Sequence, residues 1–493
     1  MSEATSAALA RARAYASEMA PRVPADTLPL FHATGGVGWI NDPNGFSVYR
    51  GEYHLFFQYH PYGLLWGPMH WGHAKSRDLV RWELLPPALA PDTDADRDGC
   101  FSGSAAESPD GRQILMYTGV RKPDGRRELQ TQCLAVGDGL DYEKLPGNPV
   151  LTGADLPEGG SRRDFRDPKL WREADGNWRA VIANRAEDGS GQILLYESPD
   201  ALDWTLAGVL DRSRGDLGQM WECPDFFPLD GTDVLLTSPQ EMRAEPPEFH
   251  DGYGTLCLLG RFDPVGRAFH RERAQAIDYG LDFYAPQTLL TPDGRRVMIA
   301  WMQDWDSAEF CPPGLQFHGQ MTLPRELRVR DGRLVQWPVR ELEALRGAPV
   351  LHENVPVRGE TELPGVRGRV LDLTLRVLPE PGTQGIREFR VELARGGGFV
   401  TALTWLPAEG VLRLDRSRGG VPERYVNQRD IPVEASGGVL ELRLLLDRWS
   451  LEVFADRGLH AATCLIYAPQ EHDGIRFVCD GQARVDVELY PLG

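Results

Sequence analysis

A short pattern recurs in this chain at an interval of about sixty residues, and that interval limits the fold more than any other feature. Ser76-Arg77-Asp78-Leu79-Val80-Arg81-Trp82 is echoed by Ser198-Pro199-Asp200-Ala201-Leu202-Asp203-Trp204 and, more loosely, by Asp138-Gly139-Leu140-Asp141-Tyr142. In each, an aromatic residue follows an aspartate by four positions, and successive aspartates are 60 and 62 residues apart. Between them lie short apolar or alternating runs bounded by Gly, Pro and Asp, at residues 53–59, 70–74, 113–118, 178–183, 192–197, 234–238, 255–259 and 297–302. Such runs read as strands, and helical periodicity is scarce. About four short strands per period predict the radial blades of a β-propeller, whose geometry leaves only short, protected edges. Over residues 30–338 the period gives about five blades.

After Trp337 the texture changes. Residues 339–350 read as a linker with a short helix, and clean alternation follows in Leu371-Asp372-Leu373-Thr374-Leu375-Arg376-Val377, Leu440-Glu441-Leu442-Arg443-Leu444 and Val485-Asp486-Val487-Glu488-Leu489. Alternation of this kind marks strands with one buried face. The expected class is therefore all-β: an N-terminal extension over 1–29, a five-bladed β-propeller over 30–338, and a C-terminal antiparallel β-sandwich over 351–493. No cluster of chemistry-bearing residues falls in the sandwich.

Composition narrows the partners. A net charge of −19 over 493 residues repels nucleic acid and anionic lipid, so a neutral small molecule is the expected ligand. An assembly of identical copies stays open. No run reaches the roughly 18 apolar residues of a membrane span. The Ala-rich start carries Glu3, Arg11, Arg13 and Glu18 and lacks a signal-peptide core; a weak likeness to a transit peptide is opposed by the two glutamates, and a short surface helix is the simpler reading. Seven cysteines, an odd number without a Cys-x-x-Cys pair, argue for reduced thiols in a cytoplasmic setting.

Three carboxylates stand in stiff surroundings: Asp42 in Trp39-Ile40-Asn41-Asp42-Pro43-Asn44-Gly45, Asp167 in Arg166-Asp167-Pro168, and Glu222 in Trp221-Glu222-Cys223-Pro224-Asp225. Proline at or near the next position restrains each acid, placing it on a turn or strand edge. Each acid comes just before or at the start of a strand run, and Phe101-Ser102-Gly103-Ser104 and Tyr284-Ala285-Pro286-Gln287 occupy similar places. Innermost propeller strands line the central channel, so five segments are expected to converge on one pocket. Cleaving a glycosidic bond commonly takes two carboxyl groups, one charged and one protonated.

In this order, these segments resemble glycoside hydrolase family 32, the invertase and β-fructosidase family. The resemblance continues through Trp71-Gly72-His73-Ala74 and Leu323-Pro324-Arg325-Glu326-Leu327 and covers residues 30–346. It implies a five-bladed propeller with a sandwich and a retaining β-fructofuranosidase acting on sucrose, sucrose 6-phosphate or short fructo-oligosaccharides. Asp42 would be the nucleophile, Glu222 the general acid and base with the higher pKa of the pair, and Asp167 the residue that binds fructosyl hydroxyls. Asn41, Gln58, Trp66, Phe101, Ser102, Arg166, Tyr284 and Trp301 match positions that surround the sugar, and Cys223 one that tunes the acid. Fructosyl transfer, a non-catalytic fructan-binding propeller, and a five-bladed enzyme for arabinose or xylose polymers are the alternatives. The segment running from Asp447 to Asp456 follows the family pattern only loosely, and the sandwich has no evident task.

No cofactor and no metal are expected. Asp94-Ala95-Asp96-Arg97-Asp98-Gly99 imitates half of a calcium loop, but its twelfth position is Ala105 rather than Glu. His54, His60, His70 and His73 lack zinc-type spacing and read as structural. Arg162-Arg163 and Arg121-Lys122 are the basic pairs that could meet a phosphorylated leaving group.

Overall fold

Each period becomes one antiparallel blade in the computed structural model, which describes residues 5–383 and 385–493; Glu3 of the N-terminal extension lies outside them. From the inside outward the blades are Gly38–Tyr49, Glu52–His60, His70–Ser76 and Glu83–Leu89; Gly99–Glu107, Gln113–Arg121, Leu129–Gly137 and Tyr142–Lys144; Phe165–Arg172, Trp178–Arg185, Gly191–Ser198 and Thr205–Arg212; Trp221–Leu229, Thr232–Pro239, Leu256–Asp263 and Ala268–Ala276; and Tyr284–Leu290, Arg296–Trp301, Arg325–Arg330 and Arg333–Pro338. The innermost strands contact one another around a closed ring.

The recurring aspartate proves to be the turn between the third and fourth strands. Asp78 Oδ1 accepts the N–H groups of Val80 and Arg81, Asp200 Oδ1 those of Leu202 and Asp203, and Asp138 Oδ1 those of Leu140 and Asp141. One carboxylate thus satisfies two backbone donors that the turn would otherwise leave unpaired. The residue after each aspartate takes positive φ, at Leu79 (63°), Gly139 (99°) and Ala201 (67°).

Middle strands are apolar on both faces because both faces are covered. In Trp178–Arg185, Trp178, Ala180 and Ile182 pack with Met116 and Leu134 of the second blade, whereas Val181 and Ala183 pack with Leu235 and Leu258 of the fourth. Such a strand loses its alternation, as a radial stack of sheets requires.

The four main strands of every blade follow one another in the chain, so none of these is exchanged to close the ring. Instead the short segment Phe317–His318, inserted in the fifth blade, pairs in parallel with Gly38 and Trp39 of the first. The same seam is filled by Leu445, Phe454 and Ala461 of the C-terminal domain, packed with Ile40, Leu55, Leu289 and Val297.

Two turns of 3-10 helix, Arg340–Leu345, connect the two parts. Beyond it, ten strands form one continuous sheet folded on itself. The long strand Gly474–Pro491 is its spine: residues 474–481 pair with Ile386–Gly396, residues 483–491 with Leu371–Pro379, and Val350–Thr361 runs along the opposite edge. The two wings face each other over Leu373, Leu375, Phe389, Trp405, Leu444 and Phe477, all buried.

Ala7–Met19 is an α-helix capped by Ser6, whose Oγ accepts the Leu9 N–H at 3.1 Å. It lies on the outer edge of the first blade, where Arg13 Nε donates to the Pro87 carbonyl at 3.0 Å. No helix among the described residues is long and apolar enough to cross a membrane.

Candidate active site

All five innermost strands are bulged at the same level of the channel. Pairing slips between Ile40 and Pro43, between Phe101 and Gly103, opposite Arg166 and Lys169, between Glu222 and Asp225, and between Tyr284 and Gln287. Four of the five bulges carry proline, which cannot donate to the ladder and is tolerated where the ladder is already interrupted. Asp167 (61°), Cys223 (48°) and Ala285 (52°) take positive φ there. The consequence is directional: a bulge re-aims one side chain from the blade face into the channel. Asp42 is accordingly the fifth residue of its strand rather than a residue on a turn or strand edge, because the bulge lets the strand continue past Pro43.

Asp42, Asp167 and Glu222 line one cavity of about 420 Å³, together with Asn41, Gln58, Trp66, Phe101, Ser102 and Arg166. Asp42 Oδ2 accepts from Ser102 Oγ at 2.6 Å and Oδ1 from Asn41 Nδ2 at 3.1 Å, while Trp39 Nε1 fixes Asn41 by donating to its Oδ1 at 2.8 Å. Burial raises the Asp42 pKa, and the Ser102 bond opposes that rise. Asp167 Oδ2 accepts the Cys223 N–H at 3.0 Å. Burial pushes Asp167 up to about 7, against the pull of Arg166.

Glu222 is held from two sides. Arg166 Nε donates to its Oε1 at 3.0 Å, and the Tyr284 hydroxyl lies 2.6 Å from its Oε2. That hydroxyl is also 3.0 Å from the Ser238 carbonyl, so its one hydrogen has two acceptors to choose between. With the hydrogen turned to Ser238, the Tyr284 oxygen is free to accept a hydrogen bond. Cys223 Sγ lies 3.6 Å from both Asp42 Oδ2 and Asp167 Oδ2. Burial, first, and the adjacent acids hold this thiol well above its usual pKa, so it stays protonated between two carboxylates.

Tyr284, Trp301 and Cys223 stand behind the wall rather than in it. Trp301 is fully buried and packs edge-on against Trp305, the indole that faces the cavity. Gln58 faces the cavity and is anchored by donating to the Cys100 carbonyl at 3.0 Å. Trp66 is 47% exposed at the rim and meets Phe101 edge-to-face.

A model of the N-terminal domain of glycosyl hydrolases family 32 matches residues 32–338, and one of the family's C-terminal domain matches residues 341–491. The chain belongs to glycoside hydrolase family 32. Among relatives of this family-32 chain, a sucrose-6-phosphate hydrolase from Zymomonas mobilis is 37% identical over 93% of this chain and 90% of its own length. A raffinose invertase from Escherichia coli is 39% identical over 89% of each chain. The solved structure of a Bombyx mori GH32 β-fructofuranosidase superposes with a TM-score of 0.84 at 32% identity, covering 98% of each chain. The chain is thus a glycoside hydrolase with the family's propeller and sandwich.

Around the acids, the family-32 cavity gains Glu128, Gln130, Arg163, Asp164, Arg185, Gln240, Tyr253 and Trp305, none of which the motifs had marked as lining it. They sit at strand ends and on loops, brought together only by the ring. Arg163, half of a basic pair, was the one with a signal in the sequence. The calcium-like turn holds an amine: Lys144 Nζ donates to Asp92 Oδ1 and Asp96 Oδ2, each at 2.6 Å. No cluster suited to a metal occurs among the described residues. His54 Nδ1 and His73 Nε2 pair at 2.9 Å, away from the cavity.

Proposed function

We propose that this chain is a retaining β-fructofuranosidase that hydrolyses the terminal β-D-fructofuranosyl linkage of sucrose, sucrose 6-phosphate or short fructo-oligosaccharides. The observation that carries the reading is the convergence of Asp42, Asp167 and Glu222 on one cavity, each with different partners. Asp42 is assigned as nucleophile, because two donors, Ser102 and Asn41, stabilise its ionised form. Glu222 is assigned as the proton donor to the leaving oxygen, a step worth about 10²–10⁴ in rate. Attack by Asp42 gives a covalent fructosyl-enzyme; Glu222 then takes a proton from the water that releases it, and configuration is retained. Asp167 is assigned to the fructosyl hydroxyls, where its contact strengthens as positive charge grows on the ring.

Replacing Asp42 by Asn tests the assignment. Turnover of sucrose is expected to fall by about 10⁴-fold or more while sugar binding and the melting profile persist; a variant with unchanged kcat would overturn it. Arg163 borders the cavity and, among the described residues, pairs with no carboxylate. A guanidinium in that position suits a phosphorylated glucosyl group, in keeping with relatives that are sucrose-6-phosphate hydrolases. Comparing kcat/KM on sucrose, sucrose 6-phosphate, kestose and inulin ranks the leaving groups. A reducing, cytoplasmic setting is supported by seven unpaired cysteines, six of them buried, and cell fractionation tests it.

A further inference from the structure

Next to the hydrolytic cavity lies a second concavity, of about 470 Å³, into which three arginines project from separate stretches of chain. Arg121 ends the strand Gln113–Arg121, Arg127 comes from the loop before Leu129–Gly137, and Arg162 precedes Phe165–Arg172. Among the described residues none of the three is paired with a carboxylate, although the chain carries 72 acidic residues and a net charge of −19. The acids close by in sequence are engaged elsewhere. Glu128 pairs with Lys122, Asp124 accepts the backbone N–H groups of Arg126 and Arg127, and Asp94, on the rim, pairs with Arg97. Arginines elsewhere in the chain behave differently: Arg179, for example, bridges Glu173 and Glu197.

Arg162 is also positioned. A side chain at Gly153 would place its Cβ 2.7 Å from Arg162 Cγ and Cδ, so the bare glycine is what lets the arginine stem lie across it. Three arginines lining one hollow gather positive charge there that an anion would neutralise, and their planar donors match phosphate oxygens two at a time. We infer that this concavity binds a phosphate monoester at a site separate from the one that cleaves the sugar. The inference goes beyond the hydrolytic reading and holds whichever leaving group that cavity accepts.

The two hollows share Gln130, whose N–H donates to the Arg162 carbonyl at 3.0 Å, so the test must tell them apart. Inorganic phosphate and glucose 6-phosphate are titrated into the full chain by calorimetry at low ionic strength, with sodium chloride at matched ionic strength as the control. One saturable site is expected. Arg127→Ala weakens it by about tenfold, Arg121→Ala combined with Arg127→Ala removes it, and Gly153→Ala weakens it without changing any charge. Arg163→Ala, which alters the hydrolytic cavity, leaves it in place. Tighter binding of glucose 6-phosphate would identify a sugar phosphate as the ligand, and equal affinity would mean that the phosphate group alone is recognised. The inference is overturned if phosphate binds no better than chloride. It is equally overturned if Arg163→Ala abolishes binding that the Arg121/Arg127 double variant retains.

Discussion

At Asp167 burial and a neighbouring cation pull in opposite directions, and burial wins. Its pKa is pushed up to about 7, so between the ordinary carboxylate range and that value the folded chain holds a proton that the unfolded chain has released. Stability from this group is therefore greatest below its unfolded pKa and declines as pH rises towards 7. Replacing Asp167 by Asn should flatten that decline in a Tm-against-pH series and lower kcat by about 10²-fold or more. Ser102 acts on the partner acid in the opposite sense. Its hydroxyl stabilises ionised Asp42, so Ser102→Ala should move the acid limb of the kcat/KM profile upward by about one pH unit. The three acids were legible in the sequence because proline follows each within two residues and their segments stand in the order of the family's motifs. Trp305, Tyr253 and Gln240 were not, since nothing in a linear run tells that a loop of one blade will face the strand of another.

Turns and bulges explain which elements the sequence revealed. The aspartate turn was visible as a repeat because a single side chain does the capping at each occurrence. Asp78→Ala is expected to cost about 1 kcal/mol, the usual worth of a lost cap, measured as a lower midpoint in urea with unchanged slope. All five second strands and three of the five third strands were legible from their apolar runs, with ends that differ by up to four residues, as in Leu256–Asp263; Leu129–Gly137 and Arg325–Arg330 were not among those runs. Innermost strands were read as turns or strand edges for a physical reason: Asp42-Pro43-Asn44-Gly45 and Cys223-Pro224 carry the residues that usually end a strand. Bulging makes those residues compatible with pairing on either side of them. The sandwich alternation was equally plain, but its spine was hidden, because membership of both wings depends on partners 79 to 120 residues away in sequence.

Across the whole molecule, the loosely patterned segment starting at Asp447 turns out to be what fastens the sandwich to the propeller. Asp447 accepts the N–H groups of Leu30 and Phe31, Trp449 Nε1 donates to the Thr27 carbonyl at 2.6 Å, and His32 lies between Asp447 and Glu452, 2.9 Å from each. Glu452 also receives Arg325 of the fifth blade, which in turn meets Asp278. Burial pushes the His32 pKa down, but the two carboxylates outweigh it and raise it to about 9. A raised histidine contributes fully below its unfolded value near 6.5 and loses that contribution as pH climbs through 9. Wild-type Tm should accordingly drop between pH 7 and 9.5, and His32→Gln, less stable at pH 6, should show a shallower drop.

Between its last blade and its first the ring is joined by the short Phe317–His318 pairing; the neighbouring domain reinforces that seam from outside, like a hand around a bracelet. All five blades contribute to the wall of the sugar cavity, and the grip bears on the first and fifth of them. Alkali that discharges the imidazole beneath the grip would reach the substrate as a change in fit, felt in KM before the protein melts.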